Sequence, residues 1–206
     1  MLLESNPTVA PRIRTLWLIA GIKANVERTL GQAILQKCTR LTHIACTINL
    51  LKALASSTTF IHHDLKELTL IEPIVPWKLL LGYPAGRQFF NQLTHLRISG
   101  GTKFVVPDFC FSSLTHLSFS CHQISLGSSA IPPFNSERFP VLQQIAPSIP
   151  YLSCRTLDPV ALNTTGKAID PRIDVIACPK KWKEADVWQR AMHGGTDIWE
   201  SARMGE

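Results

Sequence analysis

The sequence predicts an α/β fold built by stacking: a curved solenoid with a parallel sheet on its concave side and irregular helices and loops on its convex side. Three observations predict it. First, a Leu-Thr-His-aliphatic segment occurs as Leu41-Thr42-His43-Ile44, Leu93-Thr94-His95-Leu96 and Leu114-Thr115-His116-Leu117. Second, related segments at 13–18 and 65–70 share with it the pattern L-x-x-L-x-L that marks one turn of a leucine-rich repeat. Third, the matches begin at 13, 41, 65, 93, 114 and, more weakly, 142, so the intervals are 28, 24, 28, 21 and 28. Those intervals lie in the range of such repeats. A divergent match at 173–178, after a longer interval of 31, predicts the terminal strand.

Each element follows from that period. The first, fourth and sixth positions of a match must face one core, while the residues between them point outward along a short strand. Strands are therefore expected near 13–18, 41–46, 65–70, 93–98, 114–119, 142–147 and 173–178, within a single leucine-rich-repeat-like domain over 1–206. Val26, Leu30 and Ile34 recur every four residues and predict a helix over 25–37, with Asn25 as its N-cap. A shorter helical turn is expected at 50–55. The returns at 72–76 and 99–101 are rich in Pro and Gly and predict irregular connections. Only 41–51 carries the fuller repeat, with Asn49 and Leu51; elsewhere Gly21, Pro73, Gly101 or His122 replaces the asparagine, so an asparagine ladder should be largely absent. Residues 127–135 predict a loop, and 145–166 carries no clear pattern. Two short helices, 180–192 and 196–204, are split by Gly194-Gly195, and Trp182, Trp188 and Trp199 are expected to cap the exposed end of the stack.

Composition bounds the function classes. With 45% hydrophobic and 17% charged residues among 206, the chain has the apolar material for a continuous core and is not globally disordered. The net charge of +6 comes from scattered residues, not from a basic stripe interleaved with aromatics, which argues against nucleic acid as partner. Six cysteines form no C-x-x-C pair. Cys46 and Cys178 stand at the last apolar position of a match, where a buried thiol replaces leucine. Reduced core cysteines point to a cytoplasmic or nuclear protein. The first residues lack the basic start and apolar run of a signal peptide, and the longest apolar run, near 16–22, is too short to span a membrane. Asn163-Thr164-Thr165 is a glycosylation sequon on paper only.

The opening Ala10-Pro11-Arg12-Ile13-Arg14-Thr15-Leu16-Trp17-Leu18, the internal Leu-Thr-His-Leu strands and the closing Asp170-Pro171-Arg172-Ile173-Asp174-Val175-Ile176 before Trp-rich helices together resemble the leucine-rich-repeat-like region of F-box proteins of mushroom-forming fungi. The resemblance spans most of the chain and rests on the order of its motifs. It implies repeats that recruit a substrate, joined to an F-box that docks on the adaptor of a cullin-type ubiquitin ligase. This chain enters its first strand within about a dozen residues of Met1, where an F-box needs roughly forty. A ligase adaptor is thus expected as a partner only if an F-box lies upstream.

No G-x-S-x-G, H-E-x-x-H, G-x-x-x-x-G-K-[ST] or G-x-G-x-x-G occurs, and neither catalytic residues nor a cofactor are expected. The third positions of successive strands, His43, Glu67, His95 and His116, should form a row on the concave face. They carry the inventory of a metal site, but a row is linear whereas a zinc shell converges tetrahedrally, so no metal is expected. The fifth-position row, Trp17, Ala45, Thr69, Arg97 and Ser118, shares that face, and Trp and Arg are frequent interface anchors. Trp17, His43, Glu67, His95, Arg97 and His116 are therefore the expected contacts to an unknown protein partner. His62-His63-Asp64 reads as a turn capped by Asp64, and nothing marks Cys110 or Cys121 as an activated nucleophile. The leading expectation is a non-catalytic protein-protein interaction module. A His/Cys- or carboxylate-dependent hydrolytic enzyme with its site in 127–166 and a vestigial fragment are the alternatives.

Overall fold

Among the described residues, seven short strands pair side by side in chain order, every neighbouring pair parallel. They are β1 (Thr15–Leu18), β2 (His43–Cys46), β3 (Glu67–Ile71), β4 (His95–Ser99), β5 (His116–Ser120), β6 (Gln144–Pro150) and β7 (Ile176–Cys178). The computed structural model describes residues 9–19, 25–56, 62–71, 75–100, 105, 107–120, 134–150, 158–178 and 183–204. The expected loop at 127–133, Trp182, Cys121 and Cys154 lie outside them.

Pairing follows the sequence period. Thr15 faces His43, His43 faces Glu67, Glu67 faces His95, His95 faces His116 and His116 faces Gln144, which reproduces the intervals 28, 24, 28, 21 and 28. The first, fourth and sixth positions point into one apolar core: Leu41, Ile44 and Cys46, then Leu65, Leu68 and Leu70, Leu93, Leu96 and Ile98, and Leu114, Leu117 and Phe119 are all buried. Ile13, Leu16 and Leu18 of the edge strand are only partly buried against it.

The last strand departs from the expected frame. Ile145 bridges Ile173, and Ser148 pairs with Ile176, so the offset is 28 and not the 31 that the apolar pattern suggests. A shift of three is odd, and side chains alternate faces along a strand, so the shift turns the strand over. Ile173 and Val175 enter the main core, whereas Ile176 and Cys178 face the other side. Cys178 is a buried thiol, as expected, but against different neighbours.

Among the described residues, five α-helices cover the core face. They are α1 (Asn25–Lys37), α2 (Ile48–Ala55), α3 (Trp77–Gly82), α4 (Pro84–Gln92) and α5 (Pro159–Ile169). Leu35, Leu50, Leu51, Leu80, Phe90 and Leu162 bring their apolar stripes into that core. The side chains of 25–28, with the expected cap Asn25, lie outside the described residues. Helices α3 and α4 follow the Pro-rich return, in which 75 and 76 are irregular and 72–74 lie outside the described residues. Pro84 stands in the first turn of α4, where its missing N–H costs nothing and its fixed φ suits a helix. Helix α5 starts on Asp158, whose side chain accepts from the Val160 N–H at 3.0 Å, with Pro159 in the first turn. Beneath α3 and α4 an aromatic cluster fills the centre: Trp77 meets Phe90 and Phe111 edge-on, and Phe111 stacks on Phe139 at 5.3 Å. Trp77 donates its indole N–H to the Val105 carbonyl at 2.9 Å, which satisfies the polar end of a buried ring.

Two further helices, α6 (Glu184–Met192) and α7 (Ile198–Met204), cross the opposite sheet face. Gly194, at φ 78°, supplies the left-handed turn between them. These helices do not sit on the end of the stack, as the sequence suggests. Ile176 and Cys178, turned outward by the shifted frame, join Ala146 in an apolar patch that takes Ile198, Trp199 and Ala202 of α7.

Candidate functional site

The register lines up two rows of side chains beneath α6 and α7. One runs Thr15, His43, Glu67, His95, His116, Gln144, and the next Trp17, Ala45, Thr69, Arg97, Ser118, Ala146. All six residues singled out by the sequence, Trp17, His43, Glu67, His95, Arg97 and His116, therefore share one face.

The Thr-His pair is a positioning device. The hydroxyls of Thr42, Thr94 and Thr115 donate to the carbonyls of Arg14, Lys66 and Thr94 in the preceding repeat, at 3.1, 3.3 and 3.0 Å. The same oxygens lie 2.8, 2.9 and 2.8 Å from Nδ1 of His43, His95 and His116. Each of these carbonyls also takes two backbone N–H groups, and a hydroxyl has one proton to share, so the contacts fix where each ring sits without fixing its tautomer.

Charge along the row is uneven. His95 and His116 stack at 4.3 Å with planes 12° apart, and Trp199 approaches both rings at 5.4 Å. Burial, then the neighbouring His95 and Arg203, pushes the His116 imidazole down to about 4. Burial also lowers His95, against the pull of Glu67 and Asp197. Burial alone would raise the Glu67 carboxyl, but the hydrogen bond from His43 and the charges that the row's histidines can carry hold it below the ordinary carboxylate range. Its Oε1 lies 3.1 Å from His43 Nε2 and 3.8 Å from His95 Nδ1. At neutral pH the row thus holds an ionised carboxylate beside two neutral, stacked imidazoles.

Arg97 is not the exposed anchor that its sequence position suggests. Its guanidinium, 6% exposed, grips the Glu184 carboxylate of α6 through Nε and, at 2.8 Å, through Nη2. Nη1 donates to Ser118 Oγ at 2.7 Å, and that hydroxyl donates to the Ala146 carbonyl at 2.7 Å. Trp17 likewise meets Trp188 of α6 at 5.4 Å. Between sheet and helices remains a cavity of about 170 Å³, with His43, Glu67, Thr69, His95 and Arg97 on the sheet side. Val187, Trp188, Met192, Asp197 and Trp199 line it from the helices.

Glu184, Trp188, Asp197 and Trp199 were not legible as site residues, because the pattern placed their helices elsewhere. The signal that could have found them is the interval itself: with Ile173 aligned to Ile145 at an offset of 28, Ile176 and Cys178 turn outward. Elsewhere, Asp64 stands 3.6 and 3.8 Å from Arg14 and Arg40, and Cys110 is exposed. Of the 127–166 segment, residues 134–150 and 158–166 are described, and they supply core side chains such as Phe134, Phe139, Ile145 and Leu162. Among the described residues no group of three or more His, Cys, Asp or Glu is arranged to hold a metal ion, and no helix is long and apolar enough to cross a membrane. No family model, curated protein or solved structure matches the chain.

Proposed function

We propose that this chain is a non-catalytic, leucine-rich-repeat-like interaction module that receives a segment of another protein between its sheet face and α6–α7. The stacking reading is supported by strands that pair in chain order at offsets of 21 to 28, and by an apolar core drawn from the same repeat positions. The observation that carries the binding reading is the cavity, with polar and ionised residues on its sheet side and indoles and aliphatic side chains on its helix side. Concave sites with a few convergent polar groups on apolar walls are the usual form of a binding site. Where an F-box is joined to the chain, the same cleft would serve as the substrate-receiving part of a ubiquitin ligase.

A photoreactive benzoylphenylalanine at Ala191, which lines the cavity, tests this reading. On illumination in cell extract it should form a discrete covalent adduct with another protein. The same residue at Val160, which is 72% exposed on α5, should not. Absence of any protein adduct specific to position 191 would reject the reading.

A further inference from the structure

We infer that the cavity beneath α6 and α7 takes the cationic end of a lysine or arginine side chain carried by a basic segment of the partner. This rests on the protein-binding reading above and names what that partner must present. Three carboxylates line the cavity, those of Glu67, Glu184 and Asp197, against the single guanidinium of Arg97. Arg97 is already held by both oxygens of Glu184, so its guanidinium is not left to meet an anionic guest. The site is negative within a chain of net charge +6, a local reversal of sign that selects for positive guests.

The hydrogen-bond chemistry points the same way. The carboxylates of Glu67 and Asp197 accept and have no proton to give. A guest with several N–H donors satisfies such a set, and an ammonium or guanidinium has them. An apolar guest of similar size would desolvate Glu67 without replacing its water. Trp188 and Trp199 add aromatic walls, the preferred surroundings of a partly desolvated cation. The size fits as well. A cavity of about 150 Å³ admits benzene, and this one, at about 170 Å³, has room for a cationic head with part of its aliphatic stem.

The test uses the full chain and four Gly/Ser octapeptides with blocked termini, uncharged apart from the one central residue at which they differ: lysine, arginine, norleucine or glutamate. Indole N–H resonances of Trp188 and Trp199 are followed at pH 7 as peptide is added to millimolar concentration. The lysine and arginine peptides should move both signals saturably, and the norleucine and glutamate peptides should not. Glu67→Gln should weaken the lysine peptide at least tenfold, and Trp188→Phe a few-fold, with the peptide-free spectrum reporting that each variant is folded. Norleucine binding as well as lysine overturns the inference whatever the variants do. So does unchanged affinity in folded Glu67→Gln, or a response to free tetramethylammonium with none to the peptides. A protein adduct at position 191 without any lysine response leaves the interaction module standing and removes this inference. Silence in both experiments removes both.

Discussion

His62 is 2% exposed, and neither of its ring nitrogens has a hydrogen-bond partner among the described residues. Burial first, and the charge of His63 second, lower its imidazole from 6.5 to about 4. The unfolded chain therefore binds a proton between those values that the folded chain refuses, and stability falls as pH drops through the window. The contribution of His62 is complete above its unfolded value. It should shrink by about 2 kcal/mol between pH 7 and pH 5, with His116 acting in the same direction from a more solvated site. Urea midpoints at the two pH values measure this. His62→Leu, which removes the unsatisfied nitrogens and keeps an apolar filling, should flatten most of the dependence. A wild-type midpoint that does not move would show that the ring is protonated or solvated in the fold.

At the scale of elements, the turn between α3 and α4 depends on one glycine and not on its neighbour. A methyl group at Gly86 would collide with the Leu80 carbonyl oxygen, which belongs to the rigid backbone of α3, whereas one at Gly82 would meet nothing within 4 Å. Gly86→Ala should thus cost roughly 1–3 kcal/mol through forced separation of the two helices. Gly82→Ala should gain up to about 1 kcal/mol from helix propensity. Thermal melts of the two variants moving in the same direction would refute the assignment. The elements also show what a period can and cannot convey. Leu41, Leu65, Leu93 and Leu114 mark their strands plainly, because every repeat needs an apolar residue there. The pattern misleads at β7, where Ile173, Val175, Ile176 and Cys178 are all apolar and support two frames. Both faces of that strand are buried, so apolar alternation is lost and hydrophobicity alone cannot choose the register. The wrong frame there displaces α6 and α7 and hides half of the cavity wall.

Across the whole molecule, the main core and the α6–α7 cover are held by different forces. The core is one apolar cluster that includes Leu35 near one end of the chain and Val175 near the other, while α6 has no buried residue and is tied down by the Glu184 ion pair and the Trp17–Trp188 contact. Segments with few buried apolar contacts open at a fraction of the global free energy. Amides of α6 should exchange with solvent through such an opening, well before those of β3 to β5. Glu184→Gln, which leaves Arg97 without its buried counter-charge, should speed α6 exchange at least tenfold and leave the central strands unchanged. Hydrogen-exchange mass spectrometry reads both segments at once. Equal protection of α6 and β4 in the wild-type chain would show that cover and core unfold as one unit.

The Arg97–Glu184 pair joins groups 87 positions apart, in a sheet whose strands otherwise meet their partners at offsets of 21 to 28. A chain synthesised from its N-terminus can add each strand to the one before it as it emerges. The guanidinium of Arg97 must then wait, hydrated, until α6 has left the ribosome. Closure of the cleft therefore follows completion of the sheet, and a product arrested before residue 184 would carry a finished sheet with its charged face still open.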